Sequence, residues 1–229
     1  MGYAKDLELR YNSNGVEWRE DLFDLWSHFK LVRFHYSIDS IKAMNDYIRY
    51  PSNWDNQVNS FHRLDTETTD NVEVTIACAV QALNIYYLPD LIQWKLEQGF
   101  KKVNMWPFGA GGISQHFVYW PGHLNVKVLP KWFKEECHKK YESWYPWWEK
   151  NWELGVPTWH KGKVDFDKWR TAEYGIKRLE GILSFMDSED WSVRLPEMQE
   201  FLHLCDQQRG IQFSEVFPEM KDIFNEART

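Results

Sequence analysis

Val72-Glu73-Val74-Thr75-Ile76-Ala77-Cys78-Ala79-Val80 is the stretch whose reading decides the fold. Val72, Val74, Ile76, Cys78 and Val80 alternate with Glu73, Thr75, Ala77 and Ala79, the period of two that marks a strand. Ala77 and Ala79 are small and apolar, so the C-terminal half reads as covered on both faces, as parallel sheets are. A polar loop at residues 65–71 leads into it. Pro89 opens the helix that follows, with Leu91, Ile92 and Leu96 inward, and Gly99 closes it.

The same order recurs upstream. Residues 7–11 alternate and stop at the turn Asn12-Ser13-Asn14-Gly15. Trp18, Leu22, Leu25, Trp26 and Phe29 then return at helical spacing. Residues 31–37 read as a second strand. Asp39 or Ser40 can cap the helix after it, whose inner face is Ile41, Met44 and Ile48 and which Pro51 breaks. Val58, Phe61 and Leu64 extend the helical pattern.

Downstream, residues 101–106 read as a strand running into the glycine loop Phe108-Gly109-Ala110-Gly111-Gly112, and Leu124, Val126 and Val128 mark another. Beyond Pro130 no strand pattern recurs. Residues 131–152 are helical with an interruption at Pro146, 169–186 form a long helix and 196–205 a shorter one. Strand–helix units repeated about four times call for parallel strands joined by right-handed crossovers. The expectation is an α/β fold: a partial (β/α) barrel over residues 1–130 and a packed helical region over 131–229, in one domain.

Composition narrows the functional classes. With 27 Lys and Arg against 34 Asp and Glu, the net charge of −7 argues against a surface for nucleic acid or anionic lipid. Charged residues in Met1–Arg10 make a secretory leader unexpected, and the sequence contains no run of 18 apolar residues that could span a membrane. Cys78, Cys137 and Cys205 are too dispersed for a disulfide framework or a paired-cysteine metal site, and a reduced cytoplasmic protein is the expectation.

Ligands of parallel α/β sheets bind at the C-terminal ends of the strands. Those ends carry Asn12 and Asn14, Ser37 and Asp39, Gln81 and Asn84, then Asn104 and Trp106. Such groups suit a sugar or an amino-acid head group, but the same residue types also turn the chain and cap helices, the commoner use on spacing alone. The glycine loop lacks phosphate-binding spacing and reads as a mobile loop. The eight histidines show no metal-ligand spacing, so no metal is expected, and no GxSxG is present. Cys78 and Cys137 follow strand and helix rhythm as buried apolar groups. The Trp144–Trp159 cluster could stack on a ligand, but reads first as a helix–helix corner.

Several motifs, in order, carry a family resemblance. They are Tyr11-Asn12-Ser13-Asn14-Gly15, Arg33-Phe34-His35-Tyr36-Ser37-Ile38-Asp39 and Asn45-Asp46-Tyr47-Ile48-Arg49-Tyr50-Pro51. Val80-Gln81-Ala82-Leu83-Asn84-Ile85, Met186-Asp187-Ser188-Glu189-Asp190, Asp206-Gln207-Gln208-Arg209-Gly210 and Val216-Phe217-Pro218-Glu219 complete the set. Across nearly its whole length the chain resembles the later part of radical S-adenosylmethionine proteins of the twitch-domain type, frequent in marine phages and their hosts. The resemblance implies S-adenosylmethionine and a 4Fe-4S cluster for the full-length family, with Ser37, Asp39, Gln81 and Asn84 where the cofactor's ribose and carboxylate are contacted. The family's CxxxCxxC cluster loop and a GGEP-like segment are missing here.

The chain thus reads as starting at the family's third strand, a fragment or relic not competent for radical chemistry alone. The alternative is a non-catalytic module holding a small molecule or protein at the strand-end cleft or the Trp-rich cluster. A third is an enzyme of unrecognised chemistry. The missing strands would leave residues 7–11 at an open edge, from which a homodimer is expected.

Overall fold

A computed structural model of the protein describes residues 2–15, 17, 19, 21–103, 110–155 and 171–225. Strands β1 (Glu8–Ser13), β2 (Leu31–Ser37), β3 (Val72–Val80) and β4 (Ile113–Phe117) form one four-stranded sheet in the order β1-β2-β3-β4. Every neighbouring pair is parallel. Between them run helices α1 (Leu22–Ser27), α2 (Lys42–Ile48), α3 (Trp54–Thr66) and α4 (Leu88–Glu97). After β4 the chain is helical: α5 (Lys131–Asn151), α6 (Ala172–Asp187), α7 (Leu195–Arg209) and α8 (Phe213–Val216). The α/β class is as expected. Among the described residues the sheet is open, with β1 and β4 at its edges.

One face of this sheet makes the core. Val32, Phe34 and Tyr36 of β2 and Val72, Val74, Ile76, Cys78 and Val80 of β3 are buried and share that face through the register, with Tyr11 level with Phe34 and Val74. Aromatic rings dovetail there. Tyr11 meets Phe34 edge-on at 5.1 Å, Trp26 of α1 lies 5.5 Å from Phe34, and Phe61 of α3 lies 4.4 Å from Tyr36. Gly15, at φ +61°, lets the turn after β1 pass close to the Tyr36 ring, where any Cβ would collide at 2.2 Å.

The later helices dock on the same layer. Phe185 of α6 packs 4.0 Å from Phe117 of β4, and the Tyr141 hydroxyl of α5 donates to the Ile85 carbonyl. Tyr47 of α2 donates to the Asp206 carboxylate of α7 at 2.7 Å. Lys134 of α5 donates to the Met186 and Glu189 carbonyls, placing a cation at the C-terminal end of α6. The tryptophan cluster is a helix corner. Trp144 and Trp148 are buried, their N–H groups spent on Gln93 and on the Ala172 carbonyl. Trp159 lies outside the described residues.

Several expectations need correction. Residues 101–103 form a turn, because the Asp65 carboxylate accepts the backbone N–H groups of Lys101, Lys102 and Val103 at 3.1, 2.6 and 3.2 Å. Asn104, Trp106 and the start of the glycine loop lie outside the described residues, as does Trp18. The fourth strand is instead Ile113–Phe117, whose Ser114, Gln115 and His116 hide the alternation.

Leu124, Val126 and Val128 fall in two 3-10 turns, since Asn125 accepts from the Lys127 N–H and donates to the Val118 carbonyl. Helix α5 continues through Pro146, which removes one backbone N–H from its ladder without ending it. Neither Asp39 nor Ser40 caps α2 through its side chain: Asn45 of the helix reaches back to accept both their N–H groups. Ala77 and Ala79 are half-buried, not covered on both faces.

Lys95 of α4 is fully buried, and its ammonium donates to the Gly111 carbonyl at 2.6 Å. Burial pushes its pKa down to about 7. The unfolded chain therefore holds a proton here that the folded chain has released, and stability rises with pH from about 7 toward the ordinary lysine value. The expected outcome in urea unfolding is a gap between native protein and Lys95→Met that changes by up to roughly 1.4 kcal/mol per pH unit above neutrality. A gap independent of pH would contradict this placement.

Candidate functional site

The opposite face of the sheet is polar. Alternation and register arrange it in rows that climb toward the C-terminal ends of the strands. Arg10, Arg33 and Glu73 stand level, then Asn12, His35 and Thr75, then Ser37 and Ala77 with Ser114 of β4, then Ala79 with His116. The lowest rows are a charge ladder. Glu8 accepts from Arg10 and pairs with Arg33 at 3.0 Å, and Arg33 also bonds Glu73 at 2.8 Å. Higher up the side chains shrink to Ser37, Ala77 and Ala79, so a ligand can approach the backbone. The Ser114 hydroxyl sits 2.8 Å from Nε2 of His116 at its rim. His35 is pushed below the ordinary imidazole range by burial first, then by Arg10, His116 and Arg33.

Just past the strand ends, a latch joins β2 to β3. Asp39 is 3% exposed, and its carboxylate accepts the Ala79 N–H at 2.7 Å and pairs with both Nε and an Nη of Arg49 at 2.9 and 3.0 Å. Asn84 accepts the Gln81 N–H at 2.8 Å and donates to the Asp39 and Ala79 carbonyls, both at 2.9 Å. Burial raises the Asp39 carboxyl pKa against the opposing pull of Arg49.

The four residues expected at the site therefore divide. Asp39, Gln81 and Asn84 come together, with Asp39 and Asn84 bonded inside the protein. Ser37 stands apart on the open floor. Thr75, Ser114 and His35 were not singled out from sequence. Their signal was the polar half of each strand's alternation, which reads as solvent-facing until the register lines it up.

The groups that the resemblance implies can be tested against these residues. A 4Fe-4S cluster needs three convergent thiolates. Cys78, Cys137 and Cys205 are buried on β3, α5 and α7, and burial raises each thiol's pKa, away from the thiolate a metal needs. Among the described residues no three His, Cys, Asp or Glu side chains are grouped to hold a metal ion. These cysteines do not fit the cluster. Comparison with family models, curated proteins and solved structures finds no match. No helix among the described residues is long and apolar enough to cross a membrane.

The latch sets an expectation for stability. Asn84→Ala strips partners from two carbonyls and one N–H, and should cost roughly 2–3 kcal/mol in chemical denaturation. Ser37→Ala, on the open floor, should stay within about 0.5 kcal/mol of the native chain. Equal effects from the two would refute the division of roles.

Proposed function

We propose that the chain is a partial barrel of the radical S-adenosylmethionine kind that binds a small polar, adenosine-like molecule on its open sheet face and performs no radical chemistry alone. One observation carries the reading. A sequentially ordered parallel sheet normally hides both faces under apolar cover, whereas this one bears a polar, half-buried face floored by Ser37, Ala77 and Ala79. A sector of a (β/α) barrel likewise carries its helices on one side and turns the other face to the interior, with its ligand-binding groups at the C-terminal strand ends. The latch gives Asp39 and Asn84 the job of holding the floor, and leaves ligand contacts to Ser37, Ser114 and His116. Three free cysteines favour a reduced, cytoplasmic setting.

Calorimetric titration with S-adenosylhomocysteine tests the proposal. Without a cluster to anchor the ligand, affinity should be no tighter than roughly 100 µM. Ala77→Trp, folded by circular dichroism, should abolish it by filling the floor. Absence of binding in the native chain, or binding indifferent to Ala77→Trp, sinks the reading.

A second copy of the chain belongs to the same proposal, because β1 stands at an edge of the sheet with no proline to blunt it. Light scattering over a dilution series should give a dimer. A monomer at every concentration refutes this part.

A further inference from the structure

The outer edge of β1 is complementary to itself. Among the described residues β2 is the only strand beside it. Val32 of β2 sends its N–H to the Asn71 carbonyl just ahead of β3, so the alternate residues Leu31, Arg33 and His35 turn their backbone groups to β1. Across that parallel pair the backbone groups of Leu9 and Tyr11 are spent, and those of Glu8, Arg10 and Asn12 turn outward. Side chains alternate too. Glu8 and Arg10 stand on the polar face, whereas Leu9 and Tyr11 stand on the core side and are only half-buried. Leu7, just ahead of the strand, is 53% exposed.

A second copy fits this edge in one register. Twofold symmetry makes the two edge strands antiparallel, and residues with outward backbone groups must oppose one another to exchange N–H and C=O. An axis through Glu8 or through Arg10 meets that rule but sets a charge opposite its own mate. An axis through Tyr11 sets Leu7 and Glu8 against the turn at Asn14 and Gly15, past the strand end. An axis through Leu9 places Glu8 opposite Arg10 of the second copy, and Arg10 opposite its Glu8. On the core side Leu9 then meets its own mate, and exposed Leu7 meets half-buried Tyr11. Within one chain Glu8 already bonds Arg10 and pairs with Arg33 at 3.0 Å. The edge is therefore nearly neutral, and its two signs are spaced to match their own reversal.

We propose that a second copy pairs with β1 antiparallel about Leu9, joining two four-stranded sheets into one with both open faces on the same side. This rests on the reading of β1 as the place where a second copy binds, and adds the register and the contacts that select it.

Cross-linking reads the register. Under mild oxidation Leu9→Cys should link two chains by a disulfide, because mates in a non-hydrogen-bonded antiparallel pair lie within disulfide reach. Arg10→Cys, whose mate is displaced along the strand, should not. Sedimentation equilibrium reads the charges. Glu8→Arg and Arg10→Glu should each raise the dimer Kd about tenfold, since symmetry makes each change count twice, and the double variant should return to within about twofold of the native chain. Circular dichroism checks that every variant is folded.

A dimer that cross-links through Arg10→Cys in place of Leu9→Cys overturns this interface and leaves the second-copy reading standing. So does a dimer indifferent to Glu8→Arg, or a double variant as weak as the single ones. A native chain that is monomeric at every concentration overturns both.

Discussion

The hydrogen-bonded junction of Asp39, Ala79 and Asn84 is the constraint on which the site depends. Parallel strands are joined only through distant crossovers, so nothing local holds the end of β2 against the end of β3. Here one buried carboxylate takes the N–H of Ala79 just before β3 ends, and one buried amide grips the carbonyls of both chains. Arg49, arriving from the end of α2, balances the buried charge. A carboxylate at this depth would be costly without Ala79 and Arg49, and with Asn84 on the Asp39 carbonyl these groups bring strand, crossover helix and strand to one point. The open floor of Ser37, Ala77 and Ala79 lies directly below.

The two faces of the sheet divide the work. Tyr11, Phe34, Tyr36 and Phe61 interlock on the helix side, and α5 and α6 extend that packing through Tyr141 and Phe185. That side supplies the burial a chain of this size needs. The other side contributes little to the core, and its polar groups are free to be chosen for something else. An unserved Thr75 hydroxyl and a depressed His35 on the same row are the kind of local inconsistency that functional surfaces retain.

What could be read from sequence follows from where period and burial coincide. β3 alternates cleanly because one face is wholly apolar, and Pro89 and Gly99 bracket α4 by their own backbone preferences. β4 was missed because Ser114, Gln115 and His116 leave only Ile113 and Phe117 to mark the core side. The Leu124–Val128 alternation misled for the opposite reason: the Asn125 side chain offered the backbone local bonds that won over a ladder. Asp39 and Asn84 were recognisable as strand-end residues of interest, but their reach to each other spans 45 positions and needed the fold. Thr75, buried and unpartnered, looks in sequence like any polar strand residue.

The most direct test of the account is a map of backbone amide shifts during titration with S-adenosylhomocysteine. The account predicts changes concentrated at alternate positions on the open side, His35, Ser37, Thr75, Ala77 and Ser114, with core-side Phe34, Tyr36 and Ile76 nearly still. Changes concentrated instead on the α5–α7 region, or spread evenly over both faces of the sheet, would contradict it.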